Sequence, residues 1–262
     1  DWGMQAGGPA LYPGHRYPRG ILSSGIEVTK ALKRRLDELK GKVQLIENTM
    51  VTDLLTHEGK IAGAVGLDVL SGKFVVFHTN AMIVTTGGAQ RIYPFATAPE
   101  ELTGDGQAMA YRAGVELQDM EFIQFVASTF EYPPITVRSV NAHLAHGAWL
   151  LNNKGDRFMR HMDPERLESS TRDVIAAGIM NEILEGRGWR DERGEHICMS
   201  FKHLPESSRD VISVFPACHF FCGGIRINEN CETRLGGLFA AGECSAGTNG
   251  ANRLSGNAIT QI

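Results

Sequence analysis

The residues best suited to chemistry lie toward the end of this 262-residue chain. They run Gly236-Gly237-Leu238-Phe239-Ala240-Ala241-Gly242-Glu243, then Gly250-Ala251-Asn252-Arg253-Leu254-Ser255-Gly256-Asn257. An apolar strand, Leu238 to Ala240, leads into Gly242-Glu243, and a Gly/Asn-rich loop with one arginine precedes a predicted helix start. Glycine lets the backbone approach a ligand closely. A carboxylate such as Glu243 accepts two hydroxyl hydrogen bonds, and a helix N-terminus favours an anion. Together these suit a nucleotide cofactor. Taken singly, each candidate keeps a plainer reading. Glu243 is then a solvated strand-end carboxylate, Asp105 a helix N-cap, His219 a satisfied core histidine, and Arg172 a helix-start arginine paired with Asp173 or Glu168.

The elements that must position these residues follow from periodicity. Val28, Leu32, Leu36 and Leu39 mark an amphipathic helix stopped at Gly41. Val43 to Ile46 reads as a strand, Met50–Leu55 and Ile61–Asp68 as a hairpin around Glu58-Gly59, and Lys73–His78 as a third strand. Ala81–Thr86 reads as a buried strand running into Gly87-Gly88. Residues 1–24, rich in Gly and Pro, read as irregular loop. From about 105 to 215 the composition shifts to helices and long polar loops. Val174, Ile175, Ile179 and Ile183 place a helix over Arg172–Leu184. Gly223–Ile227 and Gly237–Ala240 read as strands.

Hydrophobic content of 42%, charged content of 21% and a net charge of −4 are those of an ordinary globular chain. They give no electrostatic footprint for nucleic acid or anionic lipid. No apolar run approaches the roughly 20 residues of a membrane span, so direct insertion is not expected, and membrane association requires partner subunits. Five cysteines (Cys198, Cys218, Cys222, Cys231, Cys244) include one Cys-x₃-Cys spacing and no second pair. They read as reduced cytoplasmic thiols, with no metal site and no disulfide framework.

Three further segments, with the carboxyl-side one, carry a resemblance. They are Thr103-Gly104-Asp105-Gly106-Gln107-Ala108-Met109-Ala110, then Asp119-Met120-Glu121-Phe122-Ile123-Gln124-Phe125, and Leu151-Asn152-Asn153-Lys154-Gly155-Asp156-Arg157-Phe158-Met159 with Thr171-Arg172-Asp173-Val174. In this collinear order the chain resembles the fumarate reductase/succinate dehydrogenase flavoprotein family, which includes L-aspartate oxidase. The resemblance implies an α+β fold: a partial FAD-binding domain, Rossmann-like with a β-meander, interrupted by an α+β capping domain. It divides the chain into 1–104 (FAD-binding, first part), 105–214 (capping) and 215–262 (FAD-binding, second part). No G-x-G-x-x-G follows an N-terminal strand, so the chain reads as a fragment that lacks the first βαβ unit and a C-terminal helical region, and is inactive alone.

The resemblance also implies roles. FAD is the cofactor, and hydride passes between flavin N5 and a carbon of a small carboxylate-bearing substrate. Glu243 matches the glutamate bonded to ribose hydroxyls, Asp105 a cofactor-contacting aspartate, and Ala258 and Ile259 the backbone amides at the last helix start. Thr85, Thr86, Gly87 and Gly88 pack beside the pyrophosphate. Arg253 and His219 match substrate-binding residues, and Arg172 the general acid. An iron-sulfur or other electron-transfer subunit is the implied partner.

Departures stand beside these matches. Where the family has His-Pro-Thr after Gln124-Phe125, this chain has Val126-Ala127-Ser128. The family's Thr-Glu before Arg-Gly-Glu-Gly-Gly is Val140-Asn141, then Leu144-Ala145-His146-Gly147-Ala148. His143 or His146 is the candidate to restore lost polarity. Loss of a buried polar partner weakens dicarboxylate binding. An adenylylsulfate-reductase-like enzyme with a non-dicarboxylate substrate, or a non-catalytic flavin-binding module, therefore remains open.

Overall fold

A computed structural model describes residues 9–11, 15–18, 20–21, 25–131, 136–204, 210–254 and 256–258. It is an α+β molecule, as expected, organised around three buried apolar clusters. Most of the region read as irregular loop, 1–24, lies outside the described residues. Within it, Pro9–Ala10 pairs antiparallel with Gly20–Ile21.

The helix expected from Val28 onward forms as α1, Gly25–Glu38. Its apolar face is half covered: Ala31 is buried while Leu32 stays exposed. The expected strand Val43–Ile46 does not form. Apart from a lone bridge between Lys40 and Val43, it has no ladder partner among the described residues, and Val43, Leu45 and Ile46 are exposed. Without a neighbouring strand, an apolar run has no ladder to join.

The meander forms as expected, with Thr49–His57, Lys60–Asp68 and Phe74–His78 in antiparallel order. Its first turn, Glu58-Gly59, has φ of 48° and 74° at the two central positions, the left-handed pair that fits strand twist. Met82–Val84 then pairs in parallel with Leu238–Ala240. This strand is half-buried rather than fully buried, since Ile83 faces outward. The helix α2, Asp105–Arg112, packs across the meander. A cluster of Ile61, Val84, Ala110, Val115, Ile225 and Leu238 sits beneath.

Between residues 123 and 221 the chain departs from its expected character of helices and polar loops. It builds a six-stranded antiparallel sheet. The order is Trp149–Leu151, Gly194–Ser200, Val211–Phe221, Ile123–Glu131, Thr136–Ser139, with Trp189–Asp191 added to Gly194–Ser200. The central strand Val211–Phe221 is buried on both faces over most of its length, which erases the period-2 alternation that announces a strand. Against the sheet lie α3 (Asn141–Ala145), α4 (Met159–Met162) and α5 (Arg172–Leu184). On α5, Ile175, Ile179 and Ile183 recur at helical spacing and pack on Leu150, Ile197, Met199 and Val214. Burial of each such side chain contributes roughly 1.5–3 kcal/mol. This cluster draws only on residues between 127 and 214. A third, with Ala89, Ala96, Cys218 and Phe221, joins it to the parallel strands.

Candidate active site

Two groups of polar residues meet where Val211–Phe221 passes from the sheet to the parallel pair. The first is built on tight backbone. Gly87, at φ 74°, follows Met82–Val84. A Cβ on Gly88 would lie 2.5 Å from Glu243 Oε1 and 2.7 Å from Gln90 Oε1, and one on Gly106 would overlap Thr86 Oγ1. The backbone of 86–88 therefore presses directly on α2 and on Glu243. Gln107 Nε2 donates to Gly87 O at 3.1 Å. Asp105 is the first residue of α2, not its N-cap, a place taken by Gly104. Its carboxylate accepts from Thr103 Oγ1 at 2.6 Å and complements the helix dipole.

Glu243 is not a solvated strand-end carboxylate. Its Oε1 accepts from Phe221 N at 2.8 Å and from Gln90 Nε2. Burial pushes its carboxyl up to about 6, with the Phe221 N–H and Arg253 pulling the other way. Gln90 is 1% exposed, and its amide also donates to His219 O at 3.2 Å. Its own Oε1, like that of Gln107, is buried without a hydrogen-bond partner.

The second group surrounds Gln124. Arg172 Nη1 and Arg253 Nη2 both donate to Gln124 Oε1, at 3.2 and 3.1 Å. Gln124 Nε2 donates to Arg253 O at 2.7 Å and Asn252 Oδ1 at 2.8 Å. Arg253 is 7% exposed, its guanidinium 4.2 Å from the Phe220 ring centroid, and its Nε is buried without a partner. Burial, together with the facing Arg253, lowers Arg172 to about 10. The alternative partners of Arg172 are engaged elsewhere: Glu168 accepts from Arg157 and Leu150 N, and Asp173 from Asn252.

His219 reaches this place through a β-bulge. The register runs Cys218↔Phe125 and then Phe220↔Gln124, which leaves His219 as the extra residue, the device by which a strand re-aims a side chain. Its Nδ1 lies 2.7 Å from Thr97 Oγ1. Burial, reinforced by Arg172 and Arg253, pushes it down to about 3, so it is a neutral imidazole at pH 7 and not a third cation. Arg172 and Arg253 line a cavity of ≈ 170 Å³ together with α3 and Leu254.

The structure thus brings Thr86, Gly87, Gly88, Asp105 and Glu243 into one cluster, with Thr85 adjoining in the same exposed loop. It brings Arg172, His219 and Arg253 into the other. Ala258 is half-buried beyond the Arg253 loop, and Ile259 lies outside the described residues. His143 and His146 do not line the cavity. His143 is edge-on to Phe201, and His146 bonds Ala142 O at 2.7 Å, so neither replaces the missing family polarity there. Sequence reasoning missed Gln90 and Gln124. For Gln124 a signal existed, a lone amide within the apolar run Phe122-Ile123-Gln124-Phe125.

Comparison with known proteins accords with this geometry. The FAD binding domain family matches residues 8–208 and 208–259, and the chain belongs to it. A fumarate reductase (CoM/CoB) subunit from Methanothermobacter marburgensis is 37% identical over 91% of this chain and 47% of its own length. The fumarate reductase flavoprotein subunit of Escherichia coli is 31% identical over 84% of this chain and 42% of its own. The chain spans about half the length of the curated relatives it matches. A variant of the FrdA chain of E. coli quinol fumarate reductase superposes with a TM-score of 0.91 at 27% identity, over 99% of this chain and 51% of that one. The protein is an FAD-binding flavoprotein similar to the fumarate reductase flavoprotein subunits over about half their length, and FAD is its cofactor.

The residues present fit FAD. Two buried amide oxygens without partners and a carboxyl raised by burial are acceptors suited to hydroxyl donors, and Gly88 lets the backbone lie directly against Glu243 and Gln90. Among the described residues, no helix is long and apolar enough to cross a membrane.

Proposed function

We propose that this chain forms part of an oxidoreductase acting on a small carboxylate-bearing substrate. Arg172 and Arg253 hold the carboxylate, and Arg172 supplies the proton. The convergence of both guanidinium groups on Gln124 Oε1, at the wall of a small cavity, carries the reading. A half-buried and a buried cation facing one neutral oxygen repel each other, and an anion between them relieves the repulsion. A guanidinium fork fits a carboxylate in bidentate fashion. FAD, when bound, would supply the two-electron hydride chemistry.

The chain's own residues do the rest. Glu243, Asp105, the backbone of 85–88 and the amides near Ala258 and Ile259 hold the cofactor. Neutral His219, steadied by Thr97, offers hydrogen bonding without charge. Arg172, lowered to about 10, gives up a proton more readily than an ordinary guanidinium. The separate cluster within 127–214 supports a capping unit over 105–214, set between FAD-binding parts at 1–104 and 215–262. Relatives named as subunits support an electron-transfer partner.

Steady-state turnover of the flavin-loaded full-length subunit with fumarate, aspartate and adenylylsulfate tests the reaction class. Arg172→Lys tests the proton step: kcat falls by at least about 10²-fold while flavin content is unchanged. Unaltered kcat in that variant removes Arg172 from the role.

A further inference from the structure

The cavity beside the two arginines is asymmetric. On one side stand Arg172 and Arg253, already paired with the same amide oxygen. To the same lining α3 contributes Asn141, Ala142, Leu144 and Ala145, and Leu254 adds to its apolar part. The other polar residues at the rim are engaged. Glu168 is held by Arg157, Ser170 Oγ donates to Asp163, and Asn252 bridges Gln124 and Asp173. Asn141 and Thr171 add neutral polarity and no charge.

We infer that this site takes a monocarboxylate bearing a short apolar substituent, in preference to a dicarboxylate. The inference rests on the proposed carboxylate role of the arginine pair and names the substrate class for it. One carboxylate satisfies the two cations that line the cavity. Among the described lining residues there is no further cation for a second carboxylate, and Ala142, Leu144, Ala145 and Leu254 offer it only apolar surface, where an unpaired charge is strongly disfavoured. The volume of ≈ 170 Å³ accommodates about six water-sized groups at roughly 30 Å³ each. That is the size of a four-carbon monocarboxylate such as crotonate.

Crotonate and fumarate share a trans-butenoate skeleton and differ only in a methyl or a carboxylate at the far end. Isothermal titration of the flavin-loaded, oxidised protein with each therefore isolates the α3 wall. Crotonate binds at least about tenfold more tightly than fumarate, and butyrate likewise beats succinate. Ala145→Arg, which adds a cation to the α3 wall, reverses the order. Fumarate binding as tightly as crotonate to the unaltered protein overturns the inference and leaves the arginine clamp standing. Failure of formate, crotonate and fumarate alike to bind overturns the clamp as well.

Discussion

Arg172 and Arg253, 81 positions apart in sequence, donate to the same atom, Gln124 Oε1, from 3.2 and 3.1 Å. One comes from the first turn of α5 and the other from the loop after the parallel strands. The site therefore exists only where these two parts of the chain meet.

Replacement of Arg253 by Lys keeps the charge and loses the fork. Carboxylate affinity falls by about 10- to 100-fold, with flavin content retained, as read by calorimetric titration. Equal affinity in the Lys variant excludes a bidentate role.

Gln124→Leu removes the shared acceptor and leaves a buried and a half-buried guanidinium group facing an apolar side chain. Stability drops by roughly 1–3 kcal/mol in urea unfolding. Saturating carboxylate ligand restores part of the loss, because the anion replaces the lost oxygen. A ligand-independent deficit would assign Gln124 to packing alone.

Cofactor affinity depends on pH through Glu243. Its carboxyl, normally near 4.5, sits at about 6 because it is buried. The folded chain thus binds this proton more tightly than the unfolded chain. The stability that the proton brings is fully present below pH 4.5 and is lost as pH rises through about 6. Hydroxyl acceptance follows the opposite course, since the ionised carboxylate is the better acceptor. FAD affinity therefore weakens as pH falls below about 6, and Glu243→Gln flattens the profile. A fluorescence titration showing identical slopes for the two proteins rules out Glu243.

Gly88→Ala places a methyl group 2.5 Å from Glu243 Oε1 and 2.7 Å from Gln90 Oε1. Flavin content after purification falls by at least about tenfold, whereas Gly25→Ala, with open space around it and no left-handed φ, keeps its flavin. A flavin-replete Gly88→Ala protein would show that this corner is not used.

Much of this arrangement was visible in residue order. The Ile175, Ile179 and Ile183 spacing marks α5, the Glu58-Gly59 turn marks the hairpin, and the Gly87-Gly88 and Gly242-Glu243 motifs mark one end of the parallel strands. What remained hidden depends on partners distant in sequence. The bulge that aims His219 appears only when Val211–Phe221 is set against Ile123–Glu131, some 90 residues earlier. Gln90 reads as one polar residue after a glycine pair until Glu243 is placed against its amide. Val43–Ile46 misled for the converse reason, because an apolar run specifies a strand only when a neighbour can pair with it.

Arg172, His219 and Gln124 all ride on the six-stranded sheet or the helix packed against it, whereas Arg253 belongs to the loop beyond the parallel strands. A tilt of the sheet would carry the first three away from the fourth and leave each guanidinium without its counterpart. On the proposed roles, an anion held by both guanidinium groups would also tie the loop to the sheet.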